Sequence, residues 1–418
     1  MMQAVLLAAG RSSRMYPFAQ SKHKSMISLL GKPLLFYTIE GLKKTGIKNI
    51  IIVVDKNSVV QDYFGSGEKF GVSLSYIVQP HPLGMGDALL LAAERIEGDF
   101  LLLHGYHVDV SSFAKTLIEK KTKAIDAVLL AQERDDTWKY GVLTIEKEKV
   151  VAVTEKPKKG TEASKLCAVG IYLLSKDFLD VLHKTPPEHY QFEKALSDFA
   201  KIKHVAFVST NSDTVVLKYP WDLLVVKNYL LKKSKKSIGK NTSIAKSAEL
   251  IGDVVISDNV TILEGAKIKG PCYLGENVYV GTNAILRNGV VVEKGAVIGA
   301  HMEVKNSVIM EGSTTHSGFI GDSVIGEHCK IAAQFGTANV RLDRTTVKVD
   351  VKGEKIDSEL KSLGAMIGDK TQIGIQSSTM PGIVIGSGVL IGPATSVKSN
   401  VENDTTYYTK FQEVVSKK

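Results

Sequence analysis

The stretch that decides the fold of the second half of the chain is residues 244–304, which read IAKSAELIGDVVISDNVTILEGAKIKGPCYLGENVYVGTNAILRNGVVVEKGAVIGAHMEV. An aliphatic residue recurs at every sixth position, and the set is Ile244, Leu250, Ile256, Ile262, Ile268, Leu274, Val280, Leu286, Val292, Ile298 and Val304. A helix and a strand have shorter periods than this, so neither alone explains the pattern. The pattern is typical of a hexapeptide solenoid, in which each repeat forms a short strand and a corner and the aliphatic side chain points into the core.

The six-residue pattern lapses between residues 340 and 363 and then returns. The later positions are Ile367, Ile373, Thr379, Ile385, Ile391 and Val397, and glycine follows four of them, at a corner where it permits a positive φ. Within the lapse, residues 346–351 alternate between polar and apolar like one arm of a β-hairpin. We therefore expect a loop that projects from the solenoid.

Length and composition restrict the class of protein. A chain of 418 residues is too long for one ordinary core, so two domains are expected. The net charge of +9 suits anionic small molecules. The sequence lacks the basic patch interleaved with aromatic residues that would indicate a nucleic-acid partner. The three cysteines are far apart, which favours a reducing cytoplasm over a disulfide framework or a zinc site. No apolar run approaches the ~18 residues of a membrane span.

The first half of the chain alternates strand-like and helix-like segments. Strands are predicted at residues 3–8, 50–55, 74–79, 99–104 and 127–132, with helices at 34–44 and 86–95. This alternation predicts an α/β domain with a mostly parallel sheet and a ligand crevice at the carboxyl ends of the strands. The first strand runs into a small-residue loop that bears Arg14, followed by Lys24, an arrangement that α/β proteins use to bind phosphates.

The loops predicted to carry function follow the other strands. They contain Gln79 with residues 82–84, then residues 104–106, 140–141, 155–157 and 170–172.

Together these motifs resemble a sugar-1-phosphate nucleotidylyltransferase. The residues that carry the resemblance are Leu7-Ala8-Ala9-Gly10 through Arg14, Lys24, Gly31-Lys32-Pro33, Pro82-Leu83-Gly84 and Glu155-Lys156-Pro157. With the solenoid, residues 2–400 resemble the bifunctional sugar-1-phosphate nucleotidylyltransferase/acetyltransferase family, of the archaeal-like N-acetylglucosamine-1-phosphate uridylyltransferase type. The resemblance implies an α/β domain at residues 1–230, a lysine-rich linker at 231–241, a left-handed parallel β-helix at 242–400 and a tail at 401–418.

The resemblance also implies a reaction for the α/β domain, in which a sugar-1-phosphate oxygen attacks the α-phosphorus of UTP or dTTP and pyrophosphate leaves. Arg14 and Lys24 are then expected to hold the triphosphate. Contacts with the nucleotide and the sugar are expected from Ala9, Gly10, Gln79, Gly84, Gly141, Glu155 and Lys156.

The expected Mg²⁺ site departs from the family pattern. Tyr106 stands where the family has a metal-binding aspartate, and Val216 falls near the position of the second ligand. Valine cannot ligate a metal, and Mg²⁺ prefers carboxylate and water oxygens to a phenol. Asp109 lies three residues after Tyr106 and is a candidate replacement, while Ala168 stands where the family has a sugar-binding asparagine.

For the solenoid, the resemblance implies acetyl transfer from acetyl-CoA to an amino-sugar-1-phosphate. Arg287 and Lys305 are expected to bind its phosphate, Asn339 to contact the substrate, and His316 to act as general base. An imidazole suits this role because the attacking amine must lose a proton near neutral pH. Phe319 replaces a family tyrosine beside the histidine.

Two other interpretations stay open at the level of sequence. In the first interpretation, the chain is an acetyltransferase whose first domain only binds ligand. In the second, it is a non-catalytic regulatory subunit. The retained Arg14 and Lys24 favour the bifunctional enzyme, whereas Tyr106 and Val216 favour the acetyltransferase alone. The resemblance further implies a homotrimer, because the family places its acetyl sites between subunits.

Overall fold

A computed structural model describes residues 2–20, 23–56, 59–212, 214–412 and 415–416, which form two compact units. The first unit comprises Met1–Ser12, Ser21–Ile27 and Pro33–Val215, and the second comprises Ser13–Gln20, Ser28–Lys32 and Val216–Lys418. The division into functional domains at residues 230 and 241 remains a proposal.

The first unit is built on one sheet. Its strands are β1 (Gln3–Ala8), β2 (Asn49–Val54), β3 (Ser73–Val78), β4 (Phe100–His104), β5 (Ala127–Glu133), β6 (Gly141–Glu146), β7 (Lys149–Glu155), β8 (Leu166–Leu174) and β9 (Val205–Thr210). They are ordered β9-β5-β8-β4-β1-β2-β3, and β6 joins β8 and pairs with β7. The helices are α1 (Leu34–Lys44), α2 (Val59–Phe64), α3 (Met85–Ala92), α4 (Val110–Lys120), α5 (Phe178–Lys184) and α6 (Gln191–Ile202), while α7 (Asp222–Lys233) belongs to the second unit.

The sheet is mixed but mostly parallel, as predicted, because six of the seven strands in its main order run in the same direction. The β1–β2, β1–β4, β2–β3 and β5–β9 pairs are parallel, but β8 runs antiparallel to both β4 and β5. Residues 170–172, predicted to be a loop, lie inside β8. Side-chain periodicity shows which residues face a core but carries no information about the direction of a strand, so the sequence could not reveal this reversal.

Both faces of the sheet are buried. Alternate residues of β1 enter different clusters, with Val5 and Leu7 on one side and Ala4 and Leu6 on the other. Successive side chains of a strand point to opposite faces, so a strand that packs on both sides reads as a continuous apolar run. This burial leaves the carboxyl ends of the strands as the edge where polar side chains gather.

The second unit contains three sheets of short parallel strands. The first holds Ser237–Ile238, Val254–Ile256, Cys272–Leu274, Val290–Val292, Val308–Ile309, Val324–Ile325, Met366–Ile367 and Val384–Ile385. The second holds Ser243–Ile244, Thr261–Ile262, Tyr279–Val280, Val297–Ile298, Thr314–Thr315, Lys330–Ile331, Gln372–Ile373, Leu390–Ile391 and Thr406–Tyr407. The third holds Glu249–Ile251, Lys267–Lys269, Ile285–Arg287, Met302–Lys305, Gly318–Gly321, Phe335–Thr337, Ser378–Thr379 and Ser396–Val397. Successive residues of the six-residue ladder fall on the three sheets in turn, which confirms the predicted parallel β-helix and is consistent with left-handed winding.

The core of the second unit is the predicted ladder. Ile268, Leu286, Val292 and Val304 are all 0% exposed, and the aliphatic residues of neighbouring coils join them in one cluster. The predicted projecting loop contains an antiparallel hairpin of Lys348–Val351 with Glu354–Asp357, as expected. None of the helices that the structure describes is long and apolar enough to cross a membrane.

Candidate functional site

The polar edge of the first unit lies where β1 and β4 end. Leu7 pairs with His104, and the amide of Gly105 donates to the carbonyl oxygen of Leu7 at 3.1 Å. Ala9 is buried directly after β1, whereas Gly10 is exposed. The loop after β4 therefore runs beside the predicted phosphate-binding loop, as the parallel pairing of these strands requires.

Lys24 is held at this edge by its neighbours. His23 caps the short 3₁₀ helix Lys24–Met26 by accepting from the Ser25 amide, and burial, with the Lys24 charge, lowers the pKa of His23 to about 3. The imidazole is therefore neutral and can accept this hydrogen bond. The Lys24 Nζ lies 4.0 Å from the centroid of the Tyr106 ring, a cation–π distance. Tyr106 thus contacts the predicted triphosphate-binding lysine from the position where the resemblance expects an acid.

The groups around Tyr106 do not fit a Mg²⁺ site. Asp109 is fully buried; its Oδ2 accepts from the Val215 amide at 2.8 Å and its Oδ1 lies 3.5 Å from His107 Nδ1. Burial lowers the pKa of His104 well below its ordinary value, helped by the Lys24 charge, and its ring stacks with that of Tyr106. Within the described ranges, no group of three or more His, Cys, Asp and Glu side chains could hold a metal ion.

The predicted nucleotide and sugar contacts fall into two places in the first unit. Gln79 is buried and its Nε2 donates to Asp87 Oδ2 at 2.6 Å and to the carbonyl oxygen of Gly84 at 3.3 Å. Gly84 precedes α3 with φ of 126°, a backbone conformation that side chains disfavour. These bonds link residue 79 to the 82–84 motif, and their contact with a nucleotide stays a prediction.

The second place is the end of the β6–β7 hairpin. Gly141 pairs with Glu155, and a Cβ at position 141 would lie 2.9 Å from Glu155 Oε2, so glycine leaves room for this carboxylate. The Lys156 Nζ lies 3.8 Å from Glu155 Oε1. Burial raises the pKa of Glu193, which sequence reasoning missed, to about 7, and the charge of Glu155 adds to the shift.

Arg14 and Val216 belong to the second unit. Arg14 is exposed and lines a cavity of about 500 Å³ together with Tyr16, Trp221 and Lys352. Val216 is half-buried and offers no ligand atom on its side chain.

Three of the four predicted acetyl-transfer residues, Arg287, Lys305 and Asn339, lie close together at the third sheet of the solenoid. Arg287 pairs in register with Lys305, and Lys305 pairs with Gly321. Because 18 residues make one coil here, residues 287 and 305 occupy the same position on adjacent strands, ~4.8 Å apart. Glu303 accepts from the Arg287 Nε at 2.7 Å, which holds the guanidinium in place.

Asp322 joins these residues, and sequence reasoning missed it. Its Oδ2 accepts from Lys305 Nζ at 2.9 Å and from Asn339 Nδ2 at 2.5 Å, and its Oδ1 accepts from Asn306 Nδ2 at 2.7 Å. Asp322 is 3% exposed, so its charge is offset by Lys305 and by these amides. Lys227 of α7 supports the network by donating to Asn306 Oδ1 at 2.8 Å, and burial lowers the pKa of Lys227 to about 7.

His316 lies at the corner before the strand Gly318–Gly321 and is exposed. Its amide donates to the carbonyl oxygen of Ile331 at 2.9 Å, which fixes the corner. At the other end of the strand, a Cβ on Gly321 would lie 2.5 Å from Phe319 Cζ and 2.9 Å from Asn339 Nδ2. The ring of Phe319 and the amide of Asn339 therefore meet over Gly321, beside Lys305, whereas His316 lies at the corner that precedes this strand.

Two protein-family models match the chain. Residues 3–261 match the model described as nucleotidyl transferase, which is more than half of the chain, and residues 268–356 match the GMPPB C-terminal domain. The chain belongs to the nucleotidyl transferase family.

Relatives of this nucleotidyl transferase span its whole length. The bifunctional protein GlmU of Methanococcus maripaludis strain C7 is 37% identical over 423 residues and covers 100% of both chains. The bifunctional sugar-1-phosphate nucleotidylyltransferase/acetyltransferase of Sulfurisphaera tokodaii is 31% identical over 409 residues, 96% of this chain and 98% of the relative. Among solved structures, a candidate glucose-1-phosphate thymidylyltransferase of Bacillus anthracis matches 57% of this chain and 98% of its own with a TM-score of 0.50. At 23% identity, that structure supports the fold alone.

Proposed function

We propose that this nucleotidyl transferase is a bifunctional enzyme of nucleotide-sugar synthesis. One activity transfers an acetyl group from acetyl-CoA to an amino-sugar-1-phosphate, and the other joins a sugar-1-phosphate to UTP or dTTP with release of pyrophosphate. The observation that carries the proposal is the network in which Asp322 holds Lys305 and Asn339 beside Arg287. Two cations fixed on adjacent strands suit a phosphate monoester. The Sulfurisphaera tokodaii relative, which matches 96% of this chain, carries both activities in its name.

In the proposed acetyl transfer, Arg287, Lys305, Asn339 and His316 have separate roles. Arg287 and Lys305 bind the phosphate, and Asn339 contacts the sugar. The amine of the sugar attacks the thioester carbonyl carbon as His316 removes a proton from the nitrogen, and the C–S bond then breaks to release CoA. The exposed corner position of His316 leaves its imidazole accessible to both substrates.

The nucleotidyl transfer relies on cations rather than on residues that hold a metal. Lys24 and Arg14 offset the charge that develops as pyrophosphate departs, while Gln79, Gly84, Glu155 and Lys156 contact the nucleotide and the sugar. We assign no step to Mg²⁺, since Asp109 is buried and bonded and Tyr106 contacts Lys24. We therefore expect nucleotide binding with slow transfer, and assays of pyrophosphate and CoA release test the two activities separately.

Asp322 supplies a direct test of the proposed phosphate site. We expect Asp322→Ala to raise the KM for the amino-sugar-1-phosphate by ~5–100-fold, because leaving Lys305, Asn306 and Asn339 without their acceptor costs ~1–3 kcal/mol. The matched control is Glu276→Ala, which removes an exposed solenoid ion pair with Lys294. An unchanged KM for Asp322→Ala in a folded protein would show that the network does not position the phosphate-binding residues.

We also propose a cytoplasmic homotrimer. The three cysteines are free and buried, as a reducing compartment permits. A solenoid of three sheets presents flat sides suited to closed cyclic symmetry. Light scattering on the purified chain should give three times the monomer mass of 45.4 kDa, and a monomer with full acetyl-transfer activity would contradict the trimer.

A further inference from the structure

Two short segments near the start of the chain belong to the solenoid-containing unit. Residues 13–20 and 28–32 lie in the second unit, although residues 1–12, 21–27 and 33–215 lie in the first. Lys24 therefore sits in a stretch of seven residues whose two flanks both pack with the second unit. The first flank ends four residues before Lys24, and the second begins four residues after it.

The first flank is fixed by Asn403, which lies in the last coil of the solenoid. Its Oδ1 accepts from the Tyr16 hydroxyl at 3.1 Å and from Gln20 Nε2 at 3.0 Å, and its Nδ2 donates to Gln20 Oε1 at 2.7 Å. Asn403 also caps its own coil by accepting from the Ser387 amide at 2.9 Å. A third contact comes from the hairpin, where Lys352 Nζ donates to Ser13 Oγ at 3.0 Å. The segment that carries Arg14 is thus bonded at both of its ends.

The second flank is fixed by Glu293. Its Oε2 accepts from the Gly31 amide at 2.9 Å, and the Leu30 amide also donates to this carboxyl. Leu30 and Gly31 have φ of 53° and 75°, so the turn is left-handed, and a Cβ on Gly31 would lie 2.5 Å from the Tyr273 hydroxyl oxygen. Glu293 is 3% exposed and Tyr273 is 9% exposed. The carboxyl is therefore committed to this turn and not to solvent.

We propose that Asn403 and Glu293 are positioning residues for nucleotide binding, because they hold the segments on either side of Lys24 in the conformation that binds the triphosphate. This inference rests on the proposed nucleotidyl transfer and goes beyond it by making that activity depend on the solenoid. A loop of this length loses conformational freedom when it is ordered, at a cost of ~1–2 kcal/mol per residue. Bonds already formed in the free protein remove part of that cost from ligand binding.

The rival explanation is that Asn403 only stabilises the last coil. Asp258 supplies a matched control, because its Oδ1 accepts from the Lys240 amide at 2.7 Å as Asn403 does from Ser387, without contact to residues 13–20. Asn403→Asp is the conservative variant, since it keeps the acceptor for Tyr16 and Gln20. Gln20→Ala removes two of these bonds from the other side and leaves the one from Tyr16, so its effect should not add fully to that of Asn403→Ala.

The experiment uses the full chain and two readouts that do not depend on turnover. The first is the rate of trypsin cleavage after the exposed Arg11 and Arg14, identified by mass spectrometry. The second is the dissociation constant for UTP and dTTP, measured by calorimetry. Losing two or three net hydrogen bonds of ~0.5–1.5 kcal/mol each predicts a change of at least about fivefold in both readouts for Asn403→Ala and Gln20→Ala. Glu293→Ala should weaken nucleotide binding similarly, whereas Asp258→Ala should stay within about twofold of the unmodified protein. Asn403→Asp loses only the donor to Gln20 Oε1 and should change both readouts less than Asn403→Ala does.

The outcomes separate this inference from the proposed function. Increased cleavage together with weaker nucleotide binding, at unchanged CoA release, supports the positioning role. Unchanged cleavage in Asn403→Ala, or increased cleavage with an unchanged dissociation constant, overturns it. If the unmodified protein binds neither UTP nor dTTP, the proposed nucleotidyl transfer fails first, and the positioning role fails with it.

Discussion

His316→Ala is expected to lower the rate of CoA release by ~10²–10⁴, the usual effect of removing a general base. The loss should appear in kcat rather than in KM for the amino-sugar-1-phosphate, because Arg287 and Lys305 remain in place to bind the phosphate. Raising the pH should partly rescue the variant, since a larger fraction of the amine then reacts without a base. The rate is measured by trapping the released thiol.

The matched control is His328→Ala, which changes another corner histidine of the solenoid. Both imidazoles are polar corner side chains, so a general effect on coil stability should be shared by the two variants. A His316→Ala protein with full CoA release would show that the proton leaves by another route. An equal loss in both variants would mean that the effect is structural.

Tyr106→Asp is expected to raise pyrophosphate release in Mg²⁺ by ~10²–10³, the size of one preorganised electrostatic contact in a transition state. Mg²⁺ commonly binds one or two carboxylates together with substrate phosphates and water, so a single new acid beside Lys24 is sufficient. The gain should vanish when Mg²⁺ is chelated, whereas the slow pyrophosphate release by the unmodified protein should persist under chelation. Pyrophosphate is measured by a coupled phosphate assay.

Two controls define this result. Tyr106→Phe keeps the ring under Lys24 and should behave like the unmodified protein, while Tyr106→Asn removes the ring without adding charge and should not gain activity. The prediction would be contradicted if Tyr106→Asp had no effect. It would also be contradicted if the unmodified protein already released pyrophosphate at ordinary enzyme rates of ~1–10³ per second.

The sequence predicted the solenoid well because one coil is a fixed number of residues. The ladder from Ile244 to Val304 identified the core, and the separation of 18 residues between Arg287 and Lys305 makes them neighbours on adjacent strands. Asp322 escaped prediction because the coils shorten after Val304. Lys305 pairs with Gly321, only 16 residues later, so the regular spacing no longer identifies which residues meet.

The first unit shows a different limit. Apolar runs located its strands, but they could not show that β8 is antiparallel or that residues 170–172 lie within it. The sequence predicted a phosphate-binding loop at residues 10–14, but it gave no sign of the bonds from Tyr16 and Gln20 to Asn403, which join positions 387 and 383 residues apart. Such contacts depend on the whole fold, and no local pattern of composition or periodicity predicts them.

The most direct test of the central claim is to incubate the purified chain with acetyl-CoA and glucosamine-1-phosphate or galactosamine-1-phosphate and to measure released CoA. We expect saturable release that requires both substrates, with an N-acetylated sugar phosphate formed in equal amount. We also expect Arg287→Ala to raise the KM for the sugar phosphate and to leave the KM for acetyl-CoA nearly unchanged. Release of CoA at the same rate without the amino sugar, or no release with either sugar, would contradict the assignment of the solenoid as an acetyltransferase.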